Sequence, residues 1–359
     1  MARRRATAVE WSKQHLFSSA GNGVLTVVTA VVVGFVAWAA IDWALIDAVF
    51  AGSDGSACAK PGAGACWPFI THKFGLFMYG RYPEPERWRV NLTYLLALAG
   101  LVPLMIPRVK GKLWLSIYLL AVFPVVGFIL VRGGVPGLSY VPTERWGGLF
   151  LTLVVASVGI AASFPIGILL ALGRRSQLPV VRWASFGFIE FVRGVPLVMV
   201  LFMASVMLPL FLPPDVTLDK LLRALIGVAL FSAAYLAEVI RGGLQAIPRG
   251  QFEAADALGL SYAQKMGLIV LPQALKLVIP GIVNSFISLF KDTSLVLIIG
   301  LFDLLGIVQQ SIAADAKWFS PQTAATGYVF AGAIFWIFCF SMSRYSAFLE
   351  RRLAAGHGQ

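Results

Sequence analysis

Eight mostly apolar runs, each about long enough to cross a bilayer, leave this chain few ways to fold. They fall at about 23–48, 90–106, 113–131, 148–172, 186–212, 222–242, 274–299 and 326–348. Crossing roughly 30 Å of hydrocarbon takes about 20 residues of helix, and lipid tolerates only helices or closed barrels. The 359 residues are 58% hydrophobic and 13% charged, which excludes an ordinary soluble domain. The expected fold is all-α: a polytopic membrane protein with about eight transmembrane helices. The second run is the weakest, because Pro103 and Pro107 shorten it.

A net charge of +12 would suggest nucleic acid in a soluble protein. In a membrane protein, basic residues collect in cytoplasmic loops instead. With both termini cytoplasmic, 17 Lys and Arg fall inside and 10 outside, while Arg193 and Lys291 lie within spans. The expected contacts are therefore membrane lipid and no nucleic acid. Arg3-Arg4-Arg5 ahead of the first run reads as an uncleaved signal anchor, because hydrophobicity continues to Phe50.

Other chemistry is thin. His15, His72 and His357 all lie outside the spans, so no histidine metal site is expected, and no nucleophile and base converge for an enzyme. The sequence has no Gly-x4-Gly-Lys-Ser/Thr stretch, so the chain does not bind ATP through a P-loop of its own. Cys58 and Cys66 share a first outer loop of about 40 residues, where a disulfide would persist in an oxidising compartment. A bonded pair and two free thiols both fit. Cys339 sits in an apolar span and reads as packing.

The chain divides near residue 145. Residues 1–145 hold three spans and the outer loop, in which Trp67, Tyr79, Tyr82 and Trp88 suit a membrane interface. The proline spacing of Gly80–Arg89 argues against regular helix there. Residues 146–359 hold five spans and every specific motif, with no repeat between the parts.

Between the sixth and seventh runs stands a polar interlude: Gln251, Glu253, Ala254, Ala255, Gly259 and Leu260, then Leu271 and Pro272. It reads as a helix from Gln251 to Leu258, ended by Gly259, followed by a second short helix closed by Pro272. Ala254, Ala255 and Ala257 make the first helix slim enough to enter a groove, Pro248 sets its entry, and Glu253 near its start suits the positive helix end. Such a hairpin, held between two spans, can transmit force.

Two carboxylate–arginine pairs, Glu190 with Arg193 and Glu238 with Arg241, are each three residues apart on one helical face. An ion in hydrocarbon costs about 2.5–3.5 kcal/mol, so both pairs should face a partner or a polar cavity. An inner gate and fixed interhelical pairing are both compatible. Lys291, Asp292, Thr293 and Ser294 interrupt the seventh run, with Asn284 and Ser288 one or two turns earlier. Asp, Thr and Ser are N-cap types, so a broken span with a new half-helix is expected here. Its free N–H groups would suit an anionic substrate group. Local Lys291–Asp292 pairing is the alternative.

The spacing Glu253-Ala-Ala, three residues, Gly259, nine residues, Ile269-x-Leu-Pro272 resembles the loop by which membrane subunits of bacterial ABC importers dock on their ATPases. With Glu190-Phe-Val-Arg-Gly-Val-Pro-Leu197, Ala234-Tyr-Leu-Ala-Glu-Val-Ile-Arg-Gly-Gly243 and Lys291-Asp-Thr-Ser-Leu295, it resembles the permeases of polar amino acid (His/Glu/Gln/Arg/opine) ABC importers over about 146–350. Val195 stands where that family often has Thr. The three extra spans are similar to those of the larger subunit of general L-amino acid importers.

The resemblance implies a type I importer core with an N-terminal extension, in a bacterial inner membrane, moving L-amino acids from periplasm to cytoplasm. Its implied partners are an ABC ATPase dimer carrying ATP and Mg, a second permease subunit, and a periplasmic amino acid-binding protein; the extended N-terminus suggests a heterodimer, and a homodimer is the alternative. A permease for another small solute, or an ion-coupled secondary amino acid transporter, are the alternatives.

Overall fold

The computed structural model describes residues 7–213 and 217–355; Arg3, Arg4, Arg5 and His357 lie outside them. Among the described residues the regular elements are helices, with isolated bridges only. The chain divides into two compact units, Met1–His72 with Ile312–Gly327, and Lys73–Ser311 with Tyr328–Gln359.

In the first unit, span 1 is the helix Ala20–Ile46, with none of its apolar window buried within the chain. Ser19 caps its start, accepting from the Asn22 N–H at 3.2 Å. Cys58 and Cys66 form a disulfide and both are fully buried. The loop is tied down by its backbone: Gly64 N–H donates to Asp47 O, Ala65 N–H to Trp43 O, and Cys66 N–H to Thr326 Oγ1 at 2.7 Å. The segment expected to be loop also contains a helix, Trp67–Tyr79, whose apolar face could not be told from interfacial aromatics.

The second unit carries span 2 (Glu84–Met105), span 3 (Lys112–Arg132), span 4 (Gly148–Arg174), span 6 (Lys220–Ala246) and span 7 (Ile279–Ile299). Span 8 is Pro321–Arg352. Among the described residues seven helices are long and apolar enough to cross a membrane, or eight if the bent pair Pro179–Gly194 and Leu197–Phe211 is one span, span 5. That pair is the fifth run, expected over 186–212. It bends by 107° at Val195-Pro196. A residue before proline is pushed out of the helical region, and Val195 is accordingly extended at φ −111°, ψ 135°.

Proline also explains three wider, π-helical turns. Tyr118–Val122, Met203–Met207 and Lys265–Val270 each end two residues before a proline: Pro124, Pro209 and Pro272. The ring would clash with a carbonyl one turn back and offers no N–H, so the preceding turn widens.

Spans 4 and 6 form the closest pair. At Gly167 an added Cβ would lie 2.9 Å from Leu236 Cβ and 3.2 Å from Ala233 O. Small residues, including buried Ala229, Ala233 and Ala237, let the backbones approach where lipid offers no hydrophobic driving force between helices. Tyr82 is not interfacial: it is buried, with its hydroxyl donating to Val131 O at 2.7 Å. Arg89 is buried too, paired with Glu86 at 2.7 Å and donating to Ser139 O.

Candidate functional site

The polar interlude folds as a hairpin packed onto the ends of spans 4, 5 and 6. Its first helix is Arg249–Ala257, two residues earlier than expected, with Pro248 at the N-cap position. Glu253 is thus in the second turn, away from the positive helix end, and is exposed. Gly259 follows at φ +68°, a left-handed conformation that a side chain would strain, and nothing lies within 4 Å of its missing Cβ.

The return arm is Tyr262–Gln264, the wide turn Lys265–Val270 and the helix Leu271–Leu277. Pro272 therefore opens the last helix and does not close one, because its missing N–H falls in the first turn. Ser261 and Gln264 form a capping box, Lys265 pairs with Asp256 across the hairpin, and Gln273 Nε2 donates to Gln251 Oε1 at 3.1 Å.

One face of the hairpin is anchored and the other is bare. Met266, Val270 and Ala274 are buried in a cluster with Ala171, Ile189, Ala237, Ile240, Leu244 and Ile247 from the span ends, and Ala255 is buried as well. Ala254, Ala257, Gly259 and Pro272 are exposed, and Leu258 is 75% exposed. Ala255 thus belongs to the anchor, while Ala254 and Ala257 face outward; Leu260 and Leu271 are half-buried between.

Beside the hairpin, five charged side chains meet. Glu238 on span 6 accepts from Arg241 on its own helix (2.8 and 3.1 Å) and from Arg174 at the end of span 4, with Arg193 on the first half of the bent pair at 3.7 Å. Glu190 pairs with Arg174 at 3.0 Å. Glu238–Arg241 is thus a pair, as its spacing suggests, but Glu190–Arg193 is not. Arg193 turns to the better-buried carboxylate, its guanidinium 5.7 Å from the Tyr235 ring centre. Arg174, which the sequence offered only as a topology signal, joins three helices. The only hint was its place at the end of an apolar run.

Span 7 corrects another expectation. The α-helix runs unbroken to Asp292 and tightens into a 3₁₀ segment, Thr293–Ile299, ended by Gly300 at φ +75°. Asp292 makes no capping bond. Thr293 Oγ1 donates back to Phe290 O and Ser294 Oγ to Lys291 O, so these hydroxyls continue the helix and free no N–H groups. Asn284, Ser288 and Lys291 are instead spaced by four and three residues, which puts them on one helical face, and all three are exposed.

Residues 163–355 match the family model described as "Binding-protein-dependent transport system inner membrane component". The chain belongs to this family. It is 53% identical over 355 residues to the inner membrane amino-acid ABC transporter permease protein YhdY of Escherichia coli (strain K12), covering 97% of this chain and 94% of that one. It is 39% identical over 413 residues to the glutamate/glutamine/aspartate/asparagine transport system permease protein BztC of Rhodobacter capsulatus, covering 98% and 94%. A chain from the crystal structure of an amino acid ABC transporter with histidines is 29% identical, covers 57% of this chain and 92% of that one, and superposes with a TM-score of 0.49. The family places the chain in a bacterial inner membrane as a multi-pass component of a binding-protein-dependent system, with transport and not catalysis as its task.

Proposed function

We propose that this chain is the permease subunit of an ATP-driven importer that carries L-amino acids, polar and broad in range, from periplasm to cytoplasm. Residues 146–359 form the permease core, and 1–145 an extension of three spans and a periplasmic loop; both termini are cytoplasmic. The observation that carries the reading is the hairpin at 249–277: fixed to three spans along one face and bare along the other, it is built to receive a partner. The relatives' names supply the cargo class.

In this reading Gln251, Glu253, Ala254, Gly259, Leu260, Leu271 and Pro272 present or shape the docking face, with Ala255 holding it in place. Each of two ATPase subunits, carrying ATP and Mg, grips one hairpin. A second permease subunit, related but distinct, completes the pore. The polar face of Asn284, Ser288 and Lys291 supports this: polar groups within a span normally face a bundle interior or water, not lipid. Asp292, Thr293 and Ser294 shape the same stretch, and the Glu190, Arg193, Glu238 and Arg241 group forms the inner gate.

A loaded periplasmic binding protein and the ATP-bound motor favour the same outward-facing state, and hydrolysis resets it. Driving such an equilibrium from 1:99 to 99:1 takes about 5.5 kcal/mol of differential binding, so one lost coupling contact leaves hydrolysis running with little transport.

The test is uptake into vesicles holding the full assembly. Transport of polar L-amino acids should require ATP and binding protein, and should survive collapse of the H⁺ and Na⁺ gradients. Uptake that follows an ion gradient without ATP would replace this reading with secondary transport.

A further inference from the structure

Two consecutive arginines at the end of span 4 reach in different directions. Arg174 is the last helical residue and holds Glu190 and Glu238 in the charged group. Its neighbour Arg175, at the C-cap position, turns to the hairpin: Nη1 donates to Leu244 O at 2.8 Å, and the guanidinium lies 5.6 Å from the centre of the Phe252 ring. Phe252 sits on the first helix of the hairpin, between Gln251 and Glu253.

Around that contact the packing is incomplete. A cavity of about 420 Å³ is lined by Arg175, Leu244, Gln245, Ile247, Arg249, Phe252 and Glu253, at the root where span 6 turns into the hairpin. The Arg175–Phe252 contact crosses this gap. On the other side, span 4 packs against the following helix: at Gly173 an added Cβ would lie 2.3 Å from Ser185 Oγ. The contact with Phe252 thus stands one residue from the arginine that holds both carboxylates.

We propose that Arg175 is a positioning residue for transport, linking movement of the ATPase-docking helix, through Phe252, to the Arg174–Glu238–Glu190 group. This rests on the docking reading above. A cation–π contact with an aromatic ring together with a carbonyl hydrogen bond suits a guanidinium, and lysine replaces it poorly.

The experiment uses the complete importer with its ATPase, second permease and binding protein. Arg175→Ala should still co-purify the ATPase and hydrolyse ATP, while amino acid taken up per ATP falls at least tenfold; Arg175→Lys should recover only part. In a double-mutant comparison, Phe252→Ala should lower the uptake-to-hydrolysis ratio comparably, and the double variant should fall no further than Arg175→Ala. An unchanged ratio in Arg175→Ala, or multiplied effects in the double variant, would overturn the link. Failure of the wild-type chain to retain an ATPase at all would instead strike the docking reading, so the two failures are separable.

Discussion

Neutralising Glu238 should damage this protein far more than neutralising Glu190, although both are carboxylates in the same charged group. Glu238 faces three arginines and its side chain is 15% exposed; Glu190 is in ion-pair contact with Arg174 and is 47% exposed. Removing one member of a buried ion pair typically costs about 3–5 kcal/mol, because the remaining charge stays desolvated. Arg174, Arg193 and Arg241 are 19%, 37% and 29% exposed, so water relieves part of that cost. The lower end, about 3 kcal/mol, is the reasonable figure for Glu238→Gln. For Glu190→Gln an exposed pair is lost, worth at most about 1 kcal/mol. Thermal unfolding of the purified assembly should therefore show a drop of roughly 5–10 °C for Glu238→Gln and under about 3 °C for Glu190→Gln. The smaller effect should shrink further in 0.5 M salt, where exposed charges are screened. Equal shifts for the two variants, or a larger one for Glu190→Gln, would refute this ranking and the geometry behind it.

Two further outcomes follow from single residues. Burial raises the Asp303 carboxyl to about 6, with the N–H groups of Gly306 and Leu305 pulling the other way. A carboxyl raised in the folded state from its ordinary 3.8 contributes stability that is full below about pH 4 and is lost as pH rises through about 6. The effect is at most about 3 kcal/mol. The wild-type melting temperature should thus fall between pH 4.5 and 7 relative to that of Asp303→Asn, and parallel curves would contradict it. At Gly243 an added Cβ would lie 2.6 Å from Ala274 O, whereas nothing lies within 4 Å at Gly242. Gly243→Ala should destabilise by about 1–3 kcal/mol and Gly242→Ala hardly at all, measured by the same melts.

Much of the architecture was legible because a membrane simplifies the problem: only helices satisfy the backbone, and length sets the spans. Seven of the eight expected runs correspond to single long helices. The remaining one, the fifth, is a bent pair; hydropathy does not register such geometry, although Val195-Pro196 carried the local signal for a bend. Proline was informative in position and ambiguous in role. Pro272 looked like a helix end, yet its missing N–H fits the first turn of a helix equally well. Thr293 and Ser294 posed the same problem, since hydroxyls that cap a helix start can also bond back to the preceding turn. Charge pairing was legible only within one helix. The three-residue spacing identified Glu238–Arg241 but misassigned Glu190, because Arg174 comes from another helix and no local pattern predicts that approach. Arg175 and Phe252 were missed for the same reason.

ATP-driven import through this chain requires the bare face of the hairpin to meet a nucleotide-hydrolysing partner in the cytoplasm. The most direct measurement places a thiol there, through Leu258→Cys with Cys339→Ser, and crosslinks it in native membranes. The disulfide-bonded Cys58 and Cys66 stay as they are. The expected result is a single crosslinked product with an ATPase, whose yield changes when ATP is added, and no labelling of the new thiol by impermeant reagents outside intact cells. A thiol labelled from outside, or a hairpin that crosslinks to no ATPase, would contradict it.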